Sequence, residues 1–182
     1  MRVLVPLANG VEELEAVTII DVLRRGGLDV TSASLTDALP VTGSRGVTLL
    51  ADAAWSSLDP AGFDALVLPG GGKGTEALAA DARVLEAVSA FYEADKYLGA
   101  ICAAPTVLAQ AGVLDGRRAT CYPTCARQLG EAYDDAAPVI ADGNVITSQG
   151  PGTAMLFSLV LVQHFTDDET ARRVADGLLT SF

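Results

Sequence analysis

The sequence predicts an α/β fold in which a mostly parallel sheet carries helices on both faces. Short apolar runs of strand length alternate along the chain with longer segments whose apolar residues recur every three or four positions. The joints are short and marked by Gly or Pro, and a strand such as Ala65-Leu66-Val67-Leu68 is continuously apolar, as expected when both of its faces are covered. The chain has 182 residues, 50% of them hydrophobic and 19% charged. One hydrophobic core suffices at that size, so a single domain over 1–182 is expected.

Leu4–Leu7 reads as the first strand. Glu12–Arg25 follows as a helix, with Ala16, Ile19, Ile20 and Leu23 at helical spacing and Gly26-Gly27 able to close it in a left-handed cap. Val30–Leu35 is the second strand, and Val41–Ala51, centred on Ser44-Arg45-Gly46, is a hairpin or arm. After the strand Ala65–Leu68 the chain breaks at Pro69-Gly70-Gly71-Gly72 and resumes as a helix over Asp81–Ala94. Tyr97–Ile101 is a further buried strand, followed by a helix from Thr106 to Ala111 with Gly112 as its stop, and by a short strand at Ala119-Thr120. Val139–Ala141 and Val145–Ser148 flank the turn Asp142-Gly143-Asn144, and two helices, Thr153–His164 and Asp168–Leu179, complete the order.

A net charge of −11 argues against nucleic acid, whose phosphates need a basic face. It also raises a salt-adapted source, for which stability should rise between low and molar salt. Apolar runs such as Leu159–Val162 are far too short for the roughly 20 residues of a membrane span, and the first residues enter a strand rather than a signal peptide. Three cysteines are few and odd in number for a secreted disulfide framework. Reduced thiols in the cytoplasm are therefore expected.

Ligands of open parallel sheets sit beyond the carboxyl ends of the strands, which directs attention to Cys102. It lies between a strand and a helix with Ala100 and Ala104 two positions to either side, the small-residue setting of a nucleophile elbow. Such a turn would expose the sulfur, and the helix start would lower its pKa. The competing reading is a buried packing cysteine. The one histidine, His164, ends an apolar helix and reads as a structural residue, so a Cys-His dyad is not expected. Glu15 instead shares the inward stripe of the first helix with Ile19 and Val22. A buried carboxyl there would stay protonated and hydrogen-bond the sulfur; otherwise it joins Glu12 and Glu13 in complementing the helix start. Gly70-Gly71-Gly72 lacks the pattern of either nucleotide-binding loop, leaving a tight turn or a set of backbone donors to an oxyanion. Cys121 and Cys125 have no nearby histidine or second cysteine pair to make a zinc site, and no metal or cofactor is expected.

Four motifs occur in order: Gly10-Val11-Glu12-Glu13-Leu14-Glu15, Leu68-Pro69-Gly70-Gly71, Ala100-Ile101-Cys102-Ala103-Ala104-Pro105 and Thr147-Ser148-Gln149-Gly150-Pro151-Gly152-Thr153. Together they resemble the ThiJ/PfpI superfamily, and within it the branch of YajL and the Parkinsonism-associated deglycase. The resemblance implies a flavodoxin-like, doubly wound fold and a homodimer. It implies that Cys102 is a reactive, oxidation-sensitive cysteine, that Glu15 is its protonated partner, and that Gly70, Gly71 and Ala103 line an oxyanion pocket. It also implies that Arg45, with Arg25, reaches the neighbouring subunit's pocket. Where animal members place a histidine before a proline, this chain has Tyr122 before Pro123, and the histidine that follows the cysteine in the peptidase branch is Ala103 here. Proteolysis is not expected.

The resemblance implies two functions for these residues. One is glyoxalase- or deglycase-type hydrolysis of methylglyoxal or its adducts on a glycated side chain, through the Cys102 thiolate and Glu15. The other is a redox sensor or oxidative-stress chaperone in which Cys102 becomes a sulfinic acid without turnover.

Overall fold

A computed structural model describes residues 1–182. Its elements are β1 (Arg2–Leu7), α1 (Glu13–Arg25), β2 (Asp29–Ser34), β3 (Pro40–Thr42), β4 (Thr48–Leu50), β5 (Ala53–Ala54), β6 (Ala65–Leu68), α2 (Gly72–Ala80), α3 (Ala82–Glu93), β7 (Tyr97–Ile101), α4 (Pro105–Gln110), α5 (Ala126–Leu129), β8 (Val139–Asp142), β9 (Val145–Ser148), α6 (Ala154–Phe165) and α7 (Asp168–Gly177). Seven strands form one sheet in the order β5-β2-β1-β6-β7-β9-β8. Every pairing is parallel except β8 with β9, the hairpin marked by Asp142-Gly143-Asn144. The chain runs outward from β1 to β2 and then crosses back to β6, so the strand order reverses between β1 and β6. In open α/β sheets that reversal opens a crevice at the carboxyl ends of the strands.

Strand alternation divides the core. Val3, Val5 and Leu7 of β1 and Val67 of β6 face one side, where α1, α6 and α7 cover them with Ile19, Leu23, Phe157, Leu161 and Val174. Leu4, Leu66 and Leu68 face the other, under Leu78 of α2, Val84, Val88 and Phe91 of α3, and Leu108 of α4. Close approach of α6 is possible because β7 carries Gly99, where a Cβ would come within 3.3 Å of Leu161.

Several expectations are corrected. The Gly-rich break does not extend to residue 81: Gly72 starts α2. Three glycines in one stretch hid that helix, because glycine is a poor helix former and only the tertiary setting overrides it. Ala119-Thr120 is not a strand; a single bridge from Ala119 to Tyr133 is all that forms. The cap of α1 is divided, with Gly26 still right-handed at φ −70° and the left-handed step taken by Gly27 at φ 80°. The arm at 41–51 is an antiparallel hairpin with Val41 opposite Leu49.

Candidate active site

Three segments meet at the crevice: the start of α1, the turn after β6 and the turn after β7. Glu12 caps α1 by accepting from the Glu15 N–H at 2.8 Å, which turns Glu15 inward in the first turn of the helix. Glu15 is fully buried. Its Oε2 accepts from the Gly70 N–H at 2.8 Å, while Oε1 is buried with no hydrogen-bond partner. Burial is the main force on this carboxyl and pushes its pKa up from 4.5 to about 7, against the opposing hydrogen bonds from Gly70 and Cys102.

Cys102 follows β7 with φ 64°, a left-handed conformation that costs a non-glycine residue about 1–3 kcal/mol. The surroundings hold it there. Its N–H donates to the Ser148 carbonyl at 3.0 Å, and its own carbonyl accepts from Tyr122 N–H at 2.7 Å. The side chain lies against Gly70, where a Cβ would come within 2.6 Å of the Cys102 Cβ and 2.8 Å of Glu15 Oε2. Glycine at 70 is what allows thiol and carboxyl to meet. The backbone amides of Gly71, at φ 93°, and of Ala103 lie near the Cys102 sulfur and act to lower its pKa.

The expected exposed, acidified sulfur is corrected. Cys102 is only 9% exposed. Burial first, and the Glu15 charge second, push its pKa up to about 12, outweighing the two backbone donors. The helix that should have favoured the thiolate, α4, has six residues and starts three positions beyond the cysteine. Thiol and carboxyl therefore titrate as a unit: the pair loses its first proton near pH 7 and keeps the second well into the alkaline range. With one proton on the pair it rests mainly on the sulfur, and its transfer to Glu15 is what generates a thiolate beside the Gly71 and Ala103 amides.

Other predicted residues fall in different places. Tyr122 is 44% exposed, tied by its backbone to Cys102 and with its ring beside Gly150. Arg25 lies away from its own chain's cysteine: ten residues beyond Glu15 at about 1.5 Å each, it sits about 15 Å along α1 and pairs with Asp21 at 2.6 Å. Arg45 lies in the β3–β4 turn, on the wall of a cleft whose far side is Gly72 and Lys73. Nothing in the sequence singles out Lys73, because three neighbouring glycines hide the helix that carries it. Glu13 is also more than a helix-end charge. It accepts from the Ser44 hydroxyl at 3.0 Å and from the N–H groups of Arg45 and Val47, bonds that outweigh burial and hold its carboxyl below the usual range. His164 bonds the Val160 carbonyl of its own helix, the structural role expected. No group of three or more His, Cys, Asp or Glu side chains is placed to hold a metal.

Comparison with known proteins matches residues 1–164 to the model of the DJ-1/PfpI family. The chain belongs to the DJ-1/PfpI family. Among family members, protein dj-1beta of Drosophila melanogaster is 41% identical over 181 residues, 98% of this chain and 97% of that protein. Its crystal structure superposes with a TM-score of 0.96 at 40% identity, covering 100% of this chain and 98% of that one. Oxidised Toxoplasma gondii DJ-1 gives a TM-score of 0.96 at 36% identity, covering 100% and 99%. A Pyrococcus abyssi protein named as a deglycase is 36% identical over 154 residues, 84% of this chain and 92% of that protein. The chain spans less than half of a longer plant member, DJ-1 homolog B of Arabidopsis thaliana, covering 41% of it at 38% identity. The DJ-1 fold is the seven-stranded, mostly parallel sheet described above.

Proposed function

We propose that this DJ-1/PfpI protein is a cofactor-independent enzyme of the glyoxalase/deglycase type, acting on methylglyoxal and its adducts. The observation that carries the reading is the buried Glu15 carboxyl facing Cys102 across Gly70. The thiolate attacks the aldehyde carbon, forming a C–S bond. The carbonyl oxygen takes the electron pair and turns to the N–H groups of Gly71 and Ala103. Glu15 gives its proton to that oxygen, completing a hemithioacetal, and as carboxylate removes the proton from the same carbon. Returning the proton to the neighbouring carbon converts the hemithioacetal into a thioester of lactate. Water cleaves the thioester, releasing lactate and restoring the thiol, so the sum is methylglyoxal plus water giving lactic acid. On an amine adduct the first step displaces the amine, which leaves with the proton from Glu15. The chain is expected to act in the cytoplasm.

Lactate formation from methylglyoxal measured for the wild type, Cys102→Ser and Glu15→Gln tests this. Turnover should vanish in the first variant and fall by about 100-fold or more in the second. Equal rates in all three would overturn the reading.

A second reading, a redox sensor, is favoured by the two backbone donors aimed at the sulfur, which would equally hold a sulfinate, and by the oxidised state named for the Toxoplasma relative. Peroxide supplies the two oxygen atoms and is itself reduced to water. Intact-mass analysis after mild peroxide should then place two oxygens on Cys102 and none on Cys121 or Cys125.

A further inference from the structure

The chemistry assigned to Cys102 leaves two thiols unused, Cys121 and Cys125, at the ends of the segment Cys121-Tyr122-Pro123-Thr124-Cys125. A turn brings them together. Pro123 opens a short 3-10 helix, Pro123–Cys125, and the Cys125 N–H donates to the Tyr122 carbonyl at 2.8 Å. The Cys121 thiol donates to the same carbonyl oxygen at 3.4 Å. One sulfur and the other residue's nitrogen thus converge on a single atom and lie no farther apart than those two bonds laid end to end, about 6 Å. In a closed disulfide the span from one sulfur across the bond to the partner residue's backbone nitrogen is about 4–6 Å by standard bond lengths.

The two thiols differ in access. Cys121 is fully buried in the core layer that holds Leu108 and Leu129. Cys125 is half-buried at the edge of that layer and lines a groove of about 540 Å³ whose walls include Thr75 of α2, Thr106 of α4 and Gln128 of α5. A small oxidant in the groove meets Cys125 and not Cys121. Burial first, and the neighbouring Cys125 second, push the Cys121 thiol up to about 12, so it stays protonated at neutral pH. Cys102 packs in the opposite core layer, with its side chain against Gly70. The pair is therefore separate from it in space, although Tyr122, inside the segment, holds the Cys102 carbonyl through its N–H.

We propose that Cys121 and Cys125 form a second redox centre, a dithiol that closes to an intrachain disulfide under peroxide and is reopened by an external dithiol. The Cys125 sulfur attacks peroxide and takes one oxygen as a sulfenic acid, and the other oxygen leaves as water. The Cys121 sulfur then displaces the hydroxyl from Cys125, and the Cys121 proton goes with it as a second water. Two thiols and one peroxide give one disulfide and two waters, and no oxygen stays on the protein. An external dithiol reverses the bond by exchange, becoming a disulfide itself as its two hydrogens pass to the cysteines.

The test uses the full chain treated with hydrogen peroxide, denatured, blocked with N-ethylmaleimide and digested with trypsin. Both cysteines fall on one peptide, residues 119–127, which excludes Cys102. That peptide should be recovered unlabelled and two hydrogens lighter than its reduced form, and dithiothreitol before blocking should restore two maleimide labels. The lighter peptide should form equally in Cys102→Ser. It should vanish in Cys125→Ser, a variant at the half-buried position whose fold is checked by its circular dichroism. Two labels on the peptide after peroxide, or a cross-link from it to the Cys102 peptide, would overturn the centre, as would loss of the lighter species in Cys102→Ser. A sulfinic acid on Cys102 beside an open pair would overturn it while leaving the sensor reading of Cys102 in place; a closed pair beside an unoxidised Cys102 would support it and remove that reading.

Discussion

Glu15 carries a cost to the fold that follows from its place in the site. Its carboxyl holds a proton up to about pH 7 in the folded state, whereas in the unfolded chain it ionises near 4.5. The folded state therefore binds the extra proton between those values. Stability from this group is fully present below pH 4.5, declines as pH rises toward 7 and is flat beyond, a total of about 3 kcal/mol. Urea unfolding of Glu15→Gln should lack that slope, so its advantage over the wild type grows from pH 5 to pH 8. Parallel profiles for the two proteins would mean that the carboxyl is not held protonated. Activity has the opposite sense, rising with pH through about 7 as the pair loses its first proton. Much of this was legible in the sequence. The inward stripe of α1 made Glu15 a candidate that the family resemblance then favoured, and the small residues around Cys102 pointed to the elbow. The direction of the thiol's pKa was not legible, because burial by elements distant in sequence and a carboxylate 87 positions away decide it.

At the level of elements, the strands that read as continuous apolar runs form where expected. Ala65–Leu68 and Tyr97–Ile101 agree to the residue, since burial on both faces leaves little choice of side chain. What escaped was α2. Its first turn contains two glycines that serve the site rather than the helix: at Gly74 a Cβ would come within 2.8 Å of Val11, so the helix start can lie against the loop before α1 only without a side chain. The cleft between α2 and the hairpin was hidden with it. Glu13 links that hairpin to α1, and its removal has a local signature. In Glu13→Ala the amides of Arg45 and Val47 lose their acceptor, so hydrogen exchange across residues 44–47 should accelerate by about tenfold or more while β6 and β7 stay protected.

For the molecule as a whole, no helix is long and apolar enough to cross a membrane. One face is nonetheless apolar and open. Leu14 and Val17 of α1 are 52% and 49% exposed, Leu50 of β4 is 73% exposed, and a groove joins Val17 and Ile20 to Leu49 and Leu50. The homodimer implied by the sequence resemblance is proposed to bury this face. Light scattering should then report a dimer for the wild type and a monomer of 18.7 kDa for Val17→Asp with Leu50→Asp. A dimer that survives both substitutions would place the contact elsewhere.

The tether between Cys102 and Tyr122 is made by backbone alone, carbonyl to N–H. Residue 122 is therefore held by its main chain, and its side chain is unconstrained by that bond. The histidine that the sequence resemblance expects of animal members and the tyrosine of this chain would be two occupants of one mount. A lineage can exchange the chemistry offered to an incoming substrate through this single codon, while the strained cysteine beneath keeps its anchorage.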